Sequence, residues 1–322
     1  MDSSKTERQG KGSLGGILDQ IGKTPLIELS NISSGRIPSL YAKLEFFNPS
    51  GSIKDRVARY ILENSEKNGK LEPGELIVES TSGNMGLSFA LISAIKGYRC
   101  LFAIPETVSE EKIKTLRLFG AEVVLTPRGL PPSDKRSCYK VAQRIAEEKG
   151  ALYVNQYFNK LNPESHYHSI APEIWKQTNG KVDAVFCGIG TGGTISGVGK
   201  YLKELKPSTK IIGVEPVGSV FREYYREGIV PQAGNFEVEG IGKNFIPGTL
   251  DLDFIDDVVQ VSDKRSYQTV TQLISKEGVF AGGSGGAVVA AAIDYCGWLE
   301  KDRCVVVIIP DTGLKYISKL TV

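Results

Sequence analysis

Short, almost wholly apolar segments alternate along this chain with longer segments of helical periodicity. Strands are predicted over 39–46, 76–79, 100–104, 122–125, 184–187, 210–214 and 304–309. Helices are predicted over 54–70 and 84–95, and a charged helix over the segment between 104 and 122. Strands without polar alternation are buried on both faces, as in a parallel sheet that helices cover. The pattern therefore predicts an α/β protein with right-handed crossovers.

The predicted strands fall into two groups, so we expect two three-layer α/β domains with central, mostly parallel sheets. A smaller domain is predicted over residues 50–160, and residues 13–49 and 161–322 are expected to form the larger one. Residues 1–12 are polar and Gly-containing, which is typical of a flexible tail. Ligands of such sheets bind beyond the carboxyl ends of the strands, at helix N termini. The cleft between the domains is thus the expected ligand site.

Composition narrows the class of partner. The chain carries 39 Lys and Arg against 37 Asp and Glu, well interspersed, so neither nucleic acid nor a membrane is an expected partner. No apolar run is long enough to span a membrane, and no N-terminal secretion signal is visible. The five cysteines are dispersed and there are only two histidines, so we expect reduced thiols and no metal site. These features favour a cytoplasmic protein that acts on small molecules.

A glycine-rich segment, 187–194, follows the predicted strand 184–187 and precedes a helical pattern. Glycines let the backbone approach an anion closely, and the N–H groups and dipole of the helix then hold it. The Lys of a P-loop is missing, and no ribose-binding acid stands out about twenty residues beyond the partial dinucleotide fingerprint. The segment is therefore a candidate phosphate loop, although a tight strand-to-helix turn would have the same pattern.

Lys54 lies in the segment 48–56, where a turn opens the predicted helix. A cation at a helix N terminus is disfavoured by the dipole, which would lower the pKa of this lysine. A neutral amine can form a Schiff base. A surface lysine that merely follows a turn is the alternative.

Two more segments favour the Schiff-base interpretation of Lys54 over a surface lysine: Glu79-Ser80-Thr81-Ser82-Gly83-Asn84 and Gly282-Gly283-Ser284-Gly285-Gly286. The four segments together resemble the cysteine synthase and cystathionine β-synthase family, which are pyridoxal 5'-phosphate enzymes of fold type II. The resemblance runs from about residue 17 to 320, with the motifs in the family's order. Some features also resemble synthases that make diaminopropionate precursors. The implied fold is that of the tryptophan synthase β-subunit, and the family's dimers imply a homodimer.

The resemblance implies a role for each motif residue toward the cofactor. Lys54 would carry the cofactor as an internal aldimine and act as the general base. Asn84 would bind the 3′ oxygen of the cofactor, and Ser284 would meet its pyridine nitrogen. The phosphate would be held by Gly190, Thr191, Gly192, Gly193 and Thr194.

The same resemblance implies the reaction. Thr81, Ser82 and Gln156 would bind the substrate carboxylate, with Met85 beside them. A serine, O-acetylserine or O-phosphoserine donor would lose its β-substituent to give an aminoacrylate, to which a nucleophile adds. With sulfide or a thiol such as homocysteine, the product is cysteine or cystathionine. Because a neutral serine keeps the cofactor a weak electron sink, elimination and addition are favoured over transamination.

Met85 stands where the family usually has threonine. An altered substrate pose is one interpretation, and a neutral exchange is the other. The first would suit a diaminopropionate-precursor synthase that uses O-phosphoserine and a nitrogen nucleophile. A β-lyase that releases sulfide, or a non-catalytic relative, would share most of the motifs. The retention of Lys54 argues against the last of these.

Four further residues are weaker candidates. His166 and His168 could contact a second substrate, although structural roles are commoner for such histidines. Arg222 and Arg226 could attract an anionic donor, but a solvated helix face is the simpler explanation.

Overall fold

The computed structural model describes residues 15–33, 39–81, 83–296 and 303–319. The predicted tail 1–12 and the candidate residue Ser82 lie outside the described residues. None of the helices in these ranges is long and apolar enough to cross a membrane.

Ten strands are present in the described ranges: β1 Leu26–Glu28, β2 Ser39–Leu44, β3 Leu76–Ser80, β4 Arg99–Pro105, β5 Glu122–Thr126, β6 Leu152–Tyr153, β7 Val182–Gly188, β8 Lys210–Pro216, β9 Asp257–Val261 and β10 Cys304–Ile309. The larger sheet has the order β1-β2-β10-β7-β8-β9, with β1 antiparallel to β2 and every other pair parallel. The smaller sheet, β5-β4-β3-β6, is parallel throughout. The prediction of an α/β protein with mostly parallel sheets is confirmed.

The α-helices of the same ranges are α1 Ser30–Ser33, α2 Lys54–Lys67, α3 Asn84–Lys96, α4 Glu110–Leu118, α5 Cys138–Lys149, α6 Leu161–His168, α7 Ile170–Gln177, α8 Gly193–Leu205, α9 Phe221–Glu227, α10 Asp263–Glu277 and α11 Gly283–Cys296. Short 3-10 turns cover Ile17–Gln20, Glu45–Phe47, Leu252–Phe254 and Gly313–Lys319.

Helices cover both faces of each sheet. Along β7, Ala184 and Phe186 belong to one hydrophobic cluster, which includes the buried face of α11. Val185 and Cys187 belong to another, which includes residues of α7 and α8. Side chains alternate across a strand, so this division places the larger sheet between two helical layers. In the smaller sheet β3 is divided in the same way between clusters that contain residues of α3 and of α5.

This layering explains why the strands are continuous apolar runs rather than alternating ones. All strands of the smaller sheet lie between residues 76 and 153, inside the predicted range 50–160. We keep the division into a domain of 50–160 and a domain of 13–49 with 161–322 as a proposal.

Candidate active site

Lys54 is the first residue of α2 and lines a cavity at the carboxyl ends of β7 and β10. The start of the helix is fixed by the Ile53 N–H, which donates to the Pro310 carbonyl at 2.8 Å. Burial lowers the pKa of the Lys54 amine. Asp311 and Cys187 act in the opposite direction, while the nearby Lys243 ammonium lowers the pKa further. The amine is thus placed in a site that favours its neutral form.

The glycine-rich loop forms one wall of this cavity. Its residues Gly190, Thr191, Gly192 and Thr194 line the cavity with Lys54, and Gly193 begins α8. A side chain at Gly190 would collide with the Gly240 carbonyl oxygen, and Gly192 has a φ of +84°. The first turn of α8 has N–H groups without intrahelical partners, and the loop adds two threonine hydroxyls. These are the donors that a phosphate group requires.

Ser284, the second residue of α11, lines the same cavity at 2 % exposure. Its hydroxyl lies 3.5 Å from the Asp311 carboxylate. Burial raises the pKa of Asp311, while hydrogen bonds from Tyr316 (2.6 Å) and Asn84 (2.7 Å) favour its charged form. A carboxylate therefore stands directly behind the serine. No role was predicted for Asp311 from the sequence.

Asn84 begins α3 and lines the cavity opposite the phosphate loop. Its amide group already has partners at both ends. The nitrogen donates to Asp311, and the oxygen accepts a hydrogen bond from the Lys315 ammonium at 2.6 Å. A contact of Asn84 with a cofactor oxygen would therefore compete with one of these bonds, and the predicted role stays a proposal.

A second cavity adjoins the first and shares Lys54, Asn84, Gly190 and Thr191 with it. Thr81, Gln156 and Met85 line this second cavity, as the substrate-carboxylate prediction requires. Met85 is only 2 % exposed and also packs in the core of the smaller sheet, which explains an apolar residue at this position. We call the second space the substrate cavity.

Glu79 organises the floor of the substrate cavity from the end of β3. Its two carboxylate oxygens accept hydrogen bonds from the backbone N–H groups of Ser80 (2.7 Å) and Gln156 (3.0 Å). Burial raises the pKa of this carboxyl to about 8, although the two N–H donors act to lower it. Glu79 thereby fixes Gln156 beside the loop of Thr81.

Lys243 was not singled out by the motifs, yet its side chain lines the substrate cavity. Its ammonium donates to the Tyr157 hydroxyl at 3.0 Å. Burial lowers the pKa of Lys243 and raises the pKa of both Tyr139 and Tyr157, which line the same space. The chain segment is anchored by the Gly242 N–H, which donates to the Ile189 carbonyl at 2.8 Å.

Of the two histidines, only His166 approaches the site. It is fully buried, and its Nε2 lies 3.1 Å from the Thr194 hydroxyl, so it supports the phosphate loop from behind. Burial, together with the charges of Lys54 and Arg56, lowers its pKa well below the usual range, which keeps the ring neutral. His168 is exposed and stacks on Tyr60. The structural interpretation of these residues fits better than contact with a second substrate.

Arg222 and Arg226 line neither cavity. Arg222 is half-buried on α9 and donates to the Gln260 side chain at 3.2 Å, whereas Arg226 is exposed. A role in attracting a donor has no support from their positions.

The residues present fit pyridoxal phosphate. Phosphate donors, a lysine amine and a serine hydroxyl line one cavity, and hydroxyl and amide donors for a carboxylate line the next. A bound group of this kind would be held between the loop of α8 and Ser284, with Lys54 beside it. Within the described ranges, no group of three His, Cys, Asp or Glu residues could hold a metal ion.

Comparisons with known proteins agree with this geometry. The family model of the pyridoxal-phosphate dependent enzymes matches residues 17–311. A cystathionine β-synthase of Apis mellifera is 42% identical over 306 residues, which are 94% of this chain and 60% of that relative. A cysteine synthase of Staphylococcus aureus is 40% identical and is covered to 94%. The chain spans between about half and three fifths of the animal cystathionine β-synthases that it matches.

Solved structures give the same answer. The crystal structure of an O-ureido-L-serine synthase superposes with a TM-score of 0.89 at 34% identity, covering 95% of this chain and 94% of that one. A hydrogen sulfide-producing enzyme of Fusobacterium nucleatum gives a TM-score of 0.86 at 36% identity, covering 95% and 99%. The expected fold of the type II pyridoxal-phosphate enzymes is confirmed.

Proposed function

We propose, from the premise that this chain belongs to the family of pyridoxal-phosphate dependent enzymes, that it replaces the β-substituent of serine or an O-activated serine with a sulfur nucleophile. The names of its relatives support a β-substituting synthase, and the donor and the nucleophile are our own choice among the substrates of such enzymes. One observation carries the proposal. Lys54, the phosphate loop, Ser284 and the hydrogen-bond donors for a substrate carboxylate line two adjoining cavities.

The cofactor, when bound, supplies electron withdrawal from the α-carbon of the substrate. Lys54 does the proton transfer, because burial lowers the pKa of its amine and because it lines both cavities. The thiol of Cys187 faces the same cavity, but burial raises its pKa to about 12. It therefore stays protonated and does not compete as a nucleophile.

Substrate orientation falls to the residues of the substrate cavity. Thr81 and Gln156 supply neutral donors for the α-carboxylate, and Glu79 holds Gln156 in place through its backbone N–H. Lys243, Tyr139 and Tyr157 line the rest of this cavity, toward which we expect the β-carbon to face. Elimination at that carbon, followed by addition of sulfide or a thiol such as homocysteine, gives cysteine or cystathionine.

Similarity to two solved structures supports related reactions at the same site. One solved relative is named as a hydrogen sulfide-producing enzyme, which fits release of sulfide from cysteine by the reverse use of the same groups. Another is named as an O-ureido-L-serine synthase, and the group in that product name is linked to serine through oxygen rather than sulfur. A nitrogen nucleophile with O-phosphoserine stays our alternative, because Met85 and the resemblance to the diaminopropionate-precursor synthases would suit it. We also expect a cytoplasmic homodimer, as the family resemblance implies.

The test mixes purified holoenzyme in turn with serine, O-acetylserine, O-phosphoserine and cysteine, and follows the visible absorption band of the cofactor. We expect at least one donor to change the band and sulfide or homocysteine to restore it with formation of cysteine or cystathionine. The Lys54→Ala variant is the control and should give no turnover. Restoration by amines but not by thiols would overturn the sulfur assignment, and no change with any donor would overturn the proposal.

A further inference from the structure

We propose that Lys243 is the anion-binding residue of the substrate cavity: its ammonium, together with the Tyr157 hydroxyl, takes a phosphate or carboxylate group that a substrate carries besides its α-carboxylate. The inference rests on the proposed function, because it names the substrate class of that same site. The phosphate of an O-phosphorylated donor and the carboxylate of an amino-acid or thiol nucleophile are the two sources of such a group.

The first argument is that the charge of Lys243 is not compensated. Among the described residues, no carboxylate lies within ion-pair distance of its ammonium. The carboxylate of the same loop, Glu239, is engaged instead by Lys112 at 2.7 Å and Lys319 at 3.1 Å. A partly buried ammonium without a counter-ion is costly unless a ligand supplies one.

The second argument is the set of donors around it. The ammonium uses one N–H toward Tyr157 and has two more for a ligand. Burial raises the pKa of Tyr157, so its hydroxyl keeps a proton that it can donate. Tyr139 and Phe245 pack edge-on against the Tyr157 ring, with centroids 5.7 and 5.4 Å away, and hold it in position. The position of the Tyr157 hydroxyl is therefore fixed by packing.

The third argument is location. Lys243 shares the substrate cavity with Lys54, and its charge is close enough to lower the pKa of that amine. An anion bound at Lys243 would therefore occupy the same cavity as the amine that transfers the proton. The α-carboxylate already has neutral donors at Thr81 and Gln156, so the ammonium is left for a second negative group.

The experiment separates the two half-reactions of the holoenzyme. Lys243→Met removes the charge with little change in volume, Lys243→Arg restores it, and Lys200→Met, an exposed lysine on α8, is the matched control. In the first half-reaction, the cofactor band is followed with serine, O-acetylserine and O-phosphoserine. In the second, it is followed as 3-mercaptopropionate and 2-mercaptoethanol restore it, two thiols that differ by one carboxylate.

If the phosphate is the ligand, Lys243→Met slows the reaction of O-phosphoserine about 10- to 100-fold, the loss typical of a charge-assisted hydrogen bond. The reactions of serine and O-acetylserine change much less and by the same factor, because the effect of the Lys243 charge on the Lys54 pKa is common to all donors. If a carboxylate of the nucleophile is the ligand, the same loss appears only with 3-mercaptopropionate. Lys243→Arg recovers most of the rate in either case, because it restores the positive charge.

Anion binding to the same variants is also measured in the absence of turnover. Calorimetric titration of the holoenzyme with inorganic phosphate and with propionate should show weaker binding for Lys243→Met than for the wild type and Lys200→Met. The inference would be overturned if Lys243→Met slowed the reactions of anionic and neutral substrates equally and left anion binding unchanged. Lys243 would then only support Tyr157. A wild-type enzyme that reacts with no donor overturns the proposed function instead, while the titration still decides the role of Lys243.

Discussion

Replacing Arg56 tests how the helix that carries Lys54 is held. The guanidinium pairs with both oxygens of Glu45 (2.7 and 2.9 Å) and both oxygens of Glu173 (2.8 Å each). Lys43 adds a further contact to Glu173 at 2.7 Å. The network joins α2, the end of β2 and α7, and it begins two residues after Lys54. Arg56→Met would leave the fully buried Glu45 without its ion-pair partner, since Lys43 pairs with Glu173 instead.

The magnitude follows from that burial. Removing one partner of a buried ion pair costs about 3–5 kcal/mol, since the remaining charge keeps its desolvation penalty. The control is Arg59→Met on the same helix. Arg59 pairs with Glu63, both side chains are more than a third exposed, and its guanidinium also donates to the Leu18 carbonyl at 3.1 Å, so its loss should cost about 1 kcal/mol or less.

The assay is the free energy of unfolding of the two holoenzyme variants in urea, with the affinity for the cofactor as a second measurement. We expect Arg56→Met to be several kcal/mol less stable than Arg59→Met and to bind the cofactor more weakly. A difference below about 1 kcal/mol would refute the reasoning, because the network would then add no more than an exposed pair. The burial of Glu45 would in that case not carry the cost that we assign to it.

Three further predictions concern the cavities. Gly190→Ala should lower cofactor affinity at least about 10-fold and cost about 1–3 kcal/mol of stability, since the new methyl group meets the Gly240 carbonyl, whereas Gly16→Ala meets nothing and should be neutral. Asp311→Asn removes a charge that supports protonated Lys54, so the acidic limb of the pH–activity profile should move on the order of one unit lower, and a profile that does not move would contradict this. Glu79 has a folded-state pKa raised to about 8, so the folded state holds its proton longer and stability should fall as pH rises from 4.5 to 8, by at most about 1.4 kcal/mol per unit. Urea unfolding across this range should show a smaller fall for Glu79→Gln, and equal slopes would refute the assignment.

Local sequence signals predicted most of the fold, and non-local contacts explain the differences. The helix predicted over 54–70 ends at Lys67, because Asn68 caps it and Gly69 turns into the left-handed region with a φ of +64°. The strand predicted over 39–46 ends at Leu44. The chain turns there because Glu45 points into the ion-pair network, a contact with residues far along the sequence. The strands β1 and β6 were not predicted, since two or three residues give little periodicity, and β9 was not predicted because Asp257 and Gln260 interrupt its apolar pattern.

The candidate site likewise contains some residues that local motifs predicted and others that only non-local packing places. The phosphate loop, the lysine and Ser284 lie in local motifs whose glycines and helix starts are visible in the sequence. Asp311 and His166 gain their positions only through packing, since each contacts a site residue 27 or 28 positions away. Nothing local distinguishes Lys243 from the other lysines of the chain. Its partners Tyr139 and Tyr157 come from another part of the fold, and burial rather than residue type makes it unusual.

The charges of the site support one conclusion about its ligands. Lys54 and Lys243 share one cavity, and the charge of Lys243 lowers the pKa of the Lys54 amine. The described carboxylates nearby are committed elsewhere: Asp311 to Asn84 and Tyr316, and Glu239 to Lys112 and Lys319. The Lys243 ammonium, which has no carboxylate partner among the described residues, is stabilised when a bound group supplies negative charge. We therefore expect anionic substrates to bind more tightly than neutral ones of the same shape, and Lys243 to account for the difference.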